Sequence, residues 1–385
     1  MTKNFLKFLV LIPTMVLVAA AILWFRAYKP SAIEAAEVEC SADAPVWSAA
    51  RPLKVLSYNI QYMASKNYIF FYDIDLQNQE RVDAVTAANK TIASRPSRDH
   101  VVWTLDKVAD IIVQEDPDVV MIQEINGADD SRTHYIDQVS ELLGRLPEHH
   151  YPCVTEAPYW QAAFIVHPDI LGPVNMKLLT LSKYGIEKSV RHQLPRVTSN
   201  FIERPFYFQR ALLETHLKTR GTPKVALINT HFEAWGAGTG IMQKQVDMAV
   251  KLMQSLDEQG IAWIFGGDLN LLPPDGNRQR DRVLAAGTGE FDETPAIKPL
   301  YERYRGIPAL TDLTGKDPES WYTHWPNDPT VFAPDRTIDY LFYSGQWQAR
   351  NAYIRHQDTW DVSDHLPVVG EFAHVAGGQQ GHSAD

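Results

Sequence analysis

Trp263-Ile264-Phe265-Gly266-Gly267-Asp268-Leu269-Asn270 is an apolar run that ends on two metal-competent side chains spaced two apart. A short apolar segment closed by glycine and asparagine reads as a buried strand, which puts Asp268 and Asn270 at its carboxyl end. The same arrangement recurs along the chain. Val55-Leu56-Ser57-Tyr58-Asn59 ends in Asn59, Val119-Val120-Met121-Ile122-Gln123-Glu124 ends in Glu124, and Leu227-Ile228-Asn229-Thr230-His231 ends in His231. Arg336-Thr337-Ile338-Asp339-Tyr340 carries Asp339, and Val362-Ser363-Asp364-His365-Leu366-Pro367 carries Asp364 and His365. Each piece alone is ordinary, because Asp, Asn and Gly are also what turns use. Six such strand ends can converge on one cleft, and burying that many carboxylates together makes sense only with a cation present.

Leu53–Ile60, Val119–Ile125, Ala163–His167, Arg210–Leu217, Val225–Phe232, Ala262–Asp268, Ile338–Ser344 and Leu366–Phe372 read as strands. Between them, Leu105, Val108, Ile111 and Ile112 share a helical face that stops before Pro117. Met242, Val246, Ala249, Val250, Met253 and Leu256 share another, with Gly260 as its natural end. Many strands and few helices predict an α/β fold in which two sheets pack face to face with helices outside. Residues 61–100 and 271–335 are weakly periodic and read as lids or substrate loops.

The 385 residues carry a formal charge of −11 with 45% hydrophobic content, an ordinary globular composition that disfavours non-specific nucleic-acid binding. Two cysteines, Cys40 and Cys153, exclude a disulfide framework and a cysteine-based zinc site. They either pair, if the compartment is oxidising, or remain free thiols. Phe8 to Phe25 is uncharged and largely apolar between Lys3, Lys7 and Arg26, Lys29. The expectation is one membrane-spanning signal anchor over residues 1–29, or else a cleaved secretory peptide. Residues 30–50 read as a polar linker, residues 51–375 as the catalytic domain and residues 376–385 as a disordered tail. The catalytic domain is expected on the periplasmic or other extracytoplasmic side, or secreted if the segment is cleaved.

From Leu56-Ser57-Tyr58-Asn59 to Ser363-Asp364-His365-Leu366-Pro367-Val368, the order of these motifs resembles the endonuclease/exonuclease/phosphatase superfamily. That superfamily includes deoxyribonucleases, apurinic endonucleases, inositol polyphosphate 5-phosphatases and neutral sphingomyelinases. Gly267-Asp268-Leu269-Asn270 and Ser363-Asp364-His365 are the most specific matches. Leu181-Ser182-Lys183-Tyr184-Gly185-Ile186 is similar to a central family segment, with Gly185 where proline is commoner. The resemblance implies a four-layered α/β-sandwich of two mixed, mainly antiparallel sheets flanked by helices. It implies hydrolysis of phosphodiester or phosphomonoester bonds by activated water, with Mg²⁺, or Mn²⁺, held principally by Glu124, with Asn59 beside it as a ligand or as a donor to that ligand and Asp364 completing the charged metal site, the number of ions being open. His365 would be the general base, or a donor to the phosphate, with its tautomer held by Asp339. Asp268 and Asn270 would orient water and phosphate, and His231 would donate to a phosphate oxygen. These roles answer what the chemistry needs, namely a cation and fixed donors where charge develops on phosphorus-bound oxygen.

Substrate is open, because one core serves unrelated phosphoesters. Residues 183–224 hold nine basic against three acidic side chains, interleaved with Phe201, Phe206, Tyr207 and Phe208. Arg210 and Lys183 are the expected substrate-binding cations. A lipid phosphodiester, reached from the membrane through the N-terminal helix, and a nucleic acid are the two substrate classes; no protein partner is indicated, and a monomer is expected. Asn67, Tyr68, Phe70, Phe71 and Tyr72 form either an interfacial aromatic finger or a packed loop. A metal-free binding module would show a broken position among Asn59, Glu124, Asp268, Asn270, Asp339 and His365, and none is broken. A serine hydrolase needs a Gly-x-Ser-x-Gly elbow, which is absent.

Overall fold

Leu53–Asn59 and Val119–Asn126 are buried along nearly their whole length, as unbroken apolar runs require of strands covered on both faces. In the computed structural model they pair in parallel at the middle of a sheet. The structure describes residues 3–375 except 75–77, 199, 275–276, 286–290, 293, 330 and 357, with side chains from residue 11 onward. The tail expected at 376–385 lies outside the described residues.

In chain order the strands are β1 (Ile33–Ala35), β2 (Val38–Cys40), β3 (Leu53–Asn59), β4 (Tyr68–Ile69), β5 (Thr91–Ile92), β6 (Val119–Asn126), β7 (Cys153–Ile165), β8 (Gly172–Ser182), β9 (Ile186–Gln193), β10 (Ala211–Leu217), β11 (Val225–His231), β12 (Ala262–Asp268), β13 (Arg305–Ile307), β14 (Asp339–Tyr343), β15 (Trp347–Ile354) and β16 (Val368–His374). The helices are α1 (Lys3–Arg26), α2 (Gln79–Ala87), α3 (Arg98–Glu115), α4 (Gln138–Leu143), α5 (Ile241–Glu258), α6 (Arg278–Ala285), α7 (Lys298–Arg303) and α8 (Leu310–Thr314). One sheet runs β15-β16-β3-β6-β8-β7-β2 and the other β1-β9-β10-β11-β12-β14-β13. Each holds one parallel pair, β3 with β6 and β11 with β12, among antiparallel neighbours. This is the mixed, mainly antiparallel α/β sandwich that the motifs imply.

The period-two alternation of strands decides which side chain faces which layer. Val55, Met121, Leu227 and Ile264 point inward and join Leu341 and Trp347 in the core between the sheets. Their neighbours Leu56, Ile122, Ile228 and Phe265 point outward. Leu56 and Ile122 pack against Leu105, Val108 and Ile112 of α3, while Ile228 and Phe265 pack against Val246, Val250 and Met253 of α5. The outer helices therefore cover faces that would otherwise expose continuous apolar surface. Below the functional ends, Gln123 and Asn229 tie the two sheets together. Gln123 Nε2 donates to Asn229 Oδ1 at 2.8 Å, and Asn229 Nδ2 donates to the carbonyls of Ile122 and Leu179. At Gly267, with φ 138°, a Cβ would lie 1.9 Å from the Thr230 carbonyl oxygen, so only glycine lets β12 approach β11 this closely.

The amino terminus departs from its sequence reading. Residues 3–26 do form a helix, but among the described residues no helix is long and apolar enough to cross a membrane. The expected membrane-spanning anchor, and the membrane partner that rested on it, therefore find no support in the fold. Residues 30–50 are no free linker either. β1 joins the edge of one sheet by pairing with β9, β2 joins the other by pairing with β7, and Trp47 is fully buried with its ring 5.6 Å from that of Trp347.

Cys40 and Cys153 form a disulfide between β2 and the start of β7, closing a separation of 113 residues. A cross-link over so long a loop removes much of the freedom of the unfolded chain, typically ~2–4 kcal/mol. Cys40→Ser is expected to lower the unfolding free energy by about that amount, read from the denaturation midpoint. A midpoint equal to that of the oxidised parent contradicts it.

Candidate active site

The sheet registers bring the polar strand ends together. His231, Asp268 and Asp339 are successive partners across β11, β12 and β14, while Asn59 pairs with Gln123 next to Glu124. His365 lies just before β16, which runs antiparallel to β3, so it arrives at the end where Asn59 stands. Glu124 sits in a bulge of β6 between Ile122 and Ile125, at φ 62°. Such a bulge re-aims one side chain out of the pleat, and a left-handed non-glycine residue marks strain held by its surroundings. Asn270, at φ 47°, is a second case.

Asn59 is the hub of the site. Its Nδ2 donates to Glu124 Oε1 at 3.2 Å and to Asp268 Oδ2 at 2.9 Å, and its Oδ1 accepts from the Gln61 backbone at 3.0 Å. His365 Nδ1 lies 2.8 Å from Asp339 Oδ2, which leaves Nε2 facing Asp268 at 3.6 Å and Asp364 at 3.9 Å. His231 Nε2 lies 3.2 Å from Asp268 Oδ2, and its Nδ1 meets the Tyr159 hydroxyl at 3.1 Å. Both nitrogens of His231 are thus engaged within the cluster. The Asn270 backbone donates to Asp268 Oδ1 at 2.9 Å and its Nδ2 donates to the Phe232 carbonyl at 3.3 Å. Asp364 accepts from Gln61 Nε2 at 3.1 Å. Ser363 is a structural link whose hydroxyl donates to the Asn59 carbonyl at 2.9 Å.

Burial and crowding displace the protonation equilibria. Burial raises the carboxyls of Glu124 and Asp268; Asp364 adds to the rise at Glu124, and His365 opposes it at both. Burial works against charge on His365, but Asp339 and Asp268 outweigh it and hold the imidazole well above its ordinary range. His231 is driven well below that range by burial, Arg210 and His365, and so is neutral. Their surroundings thus push the two imidazoles in opposite directions.

The cluster opens into a cavity of about 580 Å³ lined by Glu124, His231, Asp268, Asn270, Asp364 and His365 on its polar side. Asn59 and Asp339 stand behind these residues. Arg210, expected to bind substrate, also lines the cavity, but its setting is unusual. The buried guanidinium lies over the rings of Phe208 at 4.3 Å and Tyr159 at 5.1 Å, and its Nε and Nη1 have no hydrogen-bond partner. Lys183 is not part of the site. It follows β8, whose end pairs with the start of β6, ~17 Å of strand away from Glu124, and it is paired with Asp116. The family-like segment around it shares this displacement, and the Tyr184 hydroxyl donates to Asp118 at 3.2 Å. The basic stretch 183–224 does not gather into one patch, since Arg191 is buried and donates to the Pro158 and Gln209 carbonyls. The two long loops do wall the site. Phe71 and Tyr72 come from the first, His324 and Pro326 from the second. Phe70 is buried, so the aromatic finger is a packed loop that turns part of its surface to the cavity.

His324 was not anticipated. Its ring centroid lies 4.5 Å from that of His365 and its Nε2 lies 3.9 Å from Asp364 Oδ2. It stands on an irregular segment, where neither periodicity nor a strand end marks it. The backbone around it is nevertheless fixed, because the Leu366 backbone donates to the Thr323 carbonyl at 2.7 Å and Thr323 Oγ1 accepts from Asp339 at 3.1 Å.

The donor set fits a divalent cation. Glu124, His231 and Asp268 offer ligand atoms within 4.8 Å of one another, as do Asp268, Asp339 and His365, and His324, Asp364 and His365. The hydrogen-bond partners of these carboxylates are amides, a hydroxyl and imidazoles, and the one imidazole favoured as a cation, that of His365, cannot balance so much buried acid. Carboxylate-rich sites suit hard cations.

Comparison with known proteins agrees. The model of the endonuclease/exonuclease/phosphatase family matches residues 102–365, more than half of the chain. A solved endonuclease/exonuclease/phosphatase from Beutenbergia cavernae superposes with a TM-score of 0.55 at 17% identity, covering 84% of this chain and 72% of that one. The human Nocturnin catalytic domain, solved with a bound sulfate anion, superposes with a TM-score of 0.50 at 16% identity, covering 88% of this chain and 97% of that one. No curated protein matches the chain. At these identities the superpositions establish the fold, while the family match extends from inside α3 through every polar strand end from Glu124 to His365. The chain belongs to the endonuclease/exonuclease/phosphatase family, whose enzymes are divalent-metal-dependent phosphoric ester hydrolases.

Proposed function

We propose that the protein is an exported phosphodiesterase that uses Mg²⁺, with Mn²⁺ as a substitute, and attacks phosphorus with water activated by His365. The observation that carries this reading is the pairing of an oriented imidazole with a guanidinium whose Nε and Nη1 lack a partner, on one cavity. His365 is fixed by Asp339 at 2.8 Å, and Arg210 presents free N–H groups from between two rings. A planar guanidinium held by its faces keeps its in-plane fork for an anion such as phosphate.

In this reading Glu124 and Asp364 hold the metal, and Asn59 behind them donates to Glu124 and steadies it. A divalent cation held among these carboxylates would polarise the phosphoryl oxygens and offset the buried acids. His365 Nε2 takes the proton of the attacking water while Asp339 holds the ring in the required tautomer. Asp268 and Asn270 orient water and phosphate. His231, neutral and bonded to Asp268, steadies that carboxylate and gives a smaller share of the rate. Arg210 binds the non-bridging oxygens. Export is supported by the disulfide of Cys40 and Cys153, a bond that persists in oxidising compartments.

Hydrolysis of bis(p-nitrophenyl) phosphate in ¹⁸O-labelled water tests the chemistry. One labelled oxygen is expected in the p-nitrophenyl phosphate product and none in p-nitrophenol. Label in p-nitrophenol means attack at carbon and contradicts the mechanism.

A further inference from the structure

The cavity has two characters. Its polar end holds the carboxylates, His365 and Arg210. The rest is mostly apolar, with Trp160, Ile165, Ile170, Met176, Phe206 and Phe208 among its lining side chains, and Arg132, which also lines it, is paired with Asp130 at 2.6 Å. These walls are held in place: Trp160 Nε1 donates to the Phe206 carbonyl at 3.0 Å, and the Trp160 and Phe208 rings lie 4.3 Å apart. Phosphate alone needs none of this surface. About 580 Å³ accommodates a group of some tens of atoms beside the phosphate, well beyond an anion.

The apolar surface continues outside. Trp235, which lines the cavity, is 50% exposed. Val166, between the lining residues Ile165 and His167, is 83% exposed, and Leu171, next to the lining residue Ile170, is 58% exposed. Phe201 and Ile202 are exposed on the same loop that delivers Phe206 and Phe208. Large apolar side chains left on the segments that wall a pocket mark a surface used for contact. A nucleic-acid groove needs a basic border instead, and here Lys183 is engaged elsewhere and Arg191 is buried in a protein of net charge −11.

We propose that the substrate is a phosphodiester amphiphile taken from a lipid surface, its apolar part against the Trp160–Phe208 wall and its phosphate at Arg210, with Val166, Leu171 and Trp235 resting on that surface. This rests on the phosphodiesterase reading of the same site. Hydrolysis is the ordinary balance of that reading: water adds to phosphorus, one ester P–O bond breaks, and the leaving alkoxide takes a proton.

The test uses the full chain with Mg²⁺ and four substrates: bis(p-nitrophenyl) phosphate, phosphatidylglycerol vesicles, glycerophosphoglycerol, which has the same phosphodiester without acyl chains, and supercoiled plasmid. The expected result is turnover of the vesicles at least ~10-fold more efficient than that of glycerophosphoglycerol, one or two buried methylene-scale contacts already being worth that ratio. The double variant Val166→Ser, Leu171→Ser is expected to lower the ratio of vesicle to bis(p-nitrophenyl) phosphate turnover by about tenfold and to weaken cosedimentation with the vesicles. Equal use of the acylated and deacylated substrates, an unchanged ratio in the variant, or nicked plasmid with untouched vesicles overturns the lipid assignment while leaving the phosphodiesterase reading intact. Silence toward all four substrates overturns both.

Discussion

His365→Ala is expected to lower kcat on bis(p-nitrophenyl) phosphate by 10²–10⁴-fold, the typical share of a positioned acid or base, with the fold and the disulfide intact. The imidazole is nearly fully buried, and its Nδ1 is committed to Asp339 at 2.8 Å. Nε2 is therefore the nitrogen left for the reaction, in a cavity shared with Glu124, Asp268 and Asp364. Asp339→Asn keeps a hydrogen-bonding group beside Nδ1 but presents an amide and removes the charge. It is expected to lose much of the same rate, because the tautomer is no longer imposed. His231→Ala is expected to cost less than either, since the His231 nitrogens are engaged by Asp268 and Tyr159. Steady-state kinetics with circular dichroism as a fold control decides. A His365→Ala protein retaining more than about a tenth of the parent rate contradicts the assigned role.

Glu124→Gln is expected to cost about 10³-fold, and the parent in excess EDTA is expected to fall to the same level. Several kcal/mol of charge stabilisation by a metal, at ~1.4 kcal/mol per tenfold, gives that figure. Glutamine fills the same space in the bulge of β6, so the loss reports the missing charge. The Asn59 amide, which now donates to Glu124 at 3.2 Å, would meet a carboxamide in place of a carboxylate. Added Mg²⁺ is expected to restore the EDTA-treated parent but not the variant. Equal sensitivity of both proteins to EDTA, with equal recovery, would remove Glu124 from the metal site.

The strand ends were legible because their strands are buried on both faces, so apolar runs stop abruptly where chemistry begins. Val119-Val120-Met121-Ile122 before Glu124 and Trp263-Ile264-Phe265 before Asp268 are the clearest cases. β9 and β15 escaped the same reading because Glu187, Lys188, Arg350 and Asn351 interrupt their apolar pattern near sheet edges. β1 and β2 are three residues each, too short for any periodicity to register. Lys183 was misplaced because closeness to a family-like segment in sequence says nothing about which end of an antiparallel strand it reaches. His324 carries no local signal at all; long-range bonds through Thr323 place it. The apolar composition of residues 8–25 reported a helix correctly, but hydropathy alone did not determine a membrane span.

The central claim is that a divalent cation held in this cleft drives phosphodiester hydrolysis. Its most direct test is the rate of p-nitrophenol release from bis(p-nitrophenyl) phosphate by the parent protein stripped of metal and then titrated with Mg²⁺. The account predicts a rate about 10³-fold lower in the stripped protein and a saturable rise with Mg²⁺. Turnover within about tenfold of the Mg²⁺-saturated rate after complete metal removal, or none at any Mg²⁺ or Mn²⁺ concentration, would contradict it.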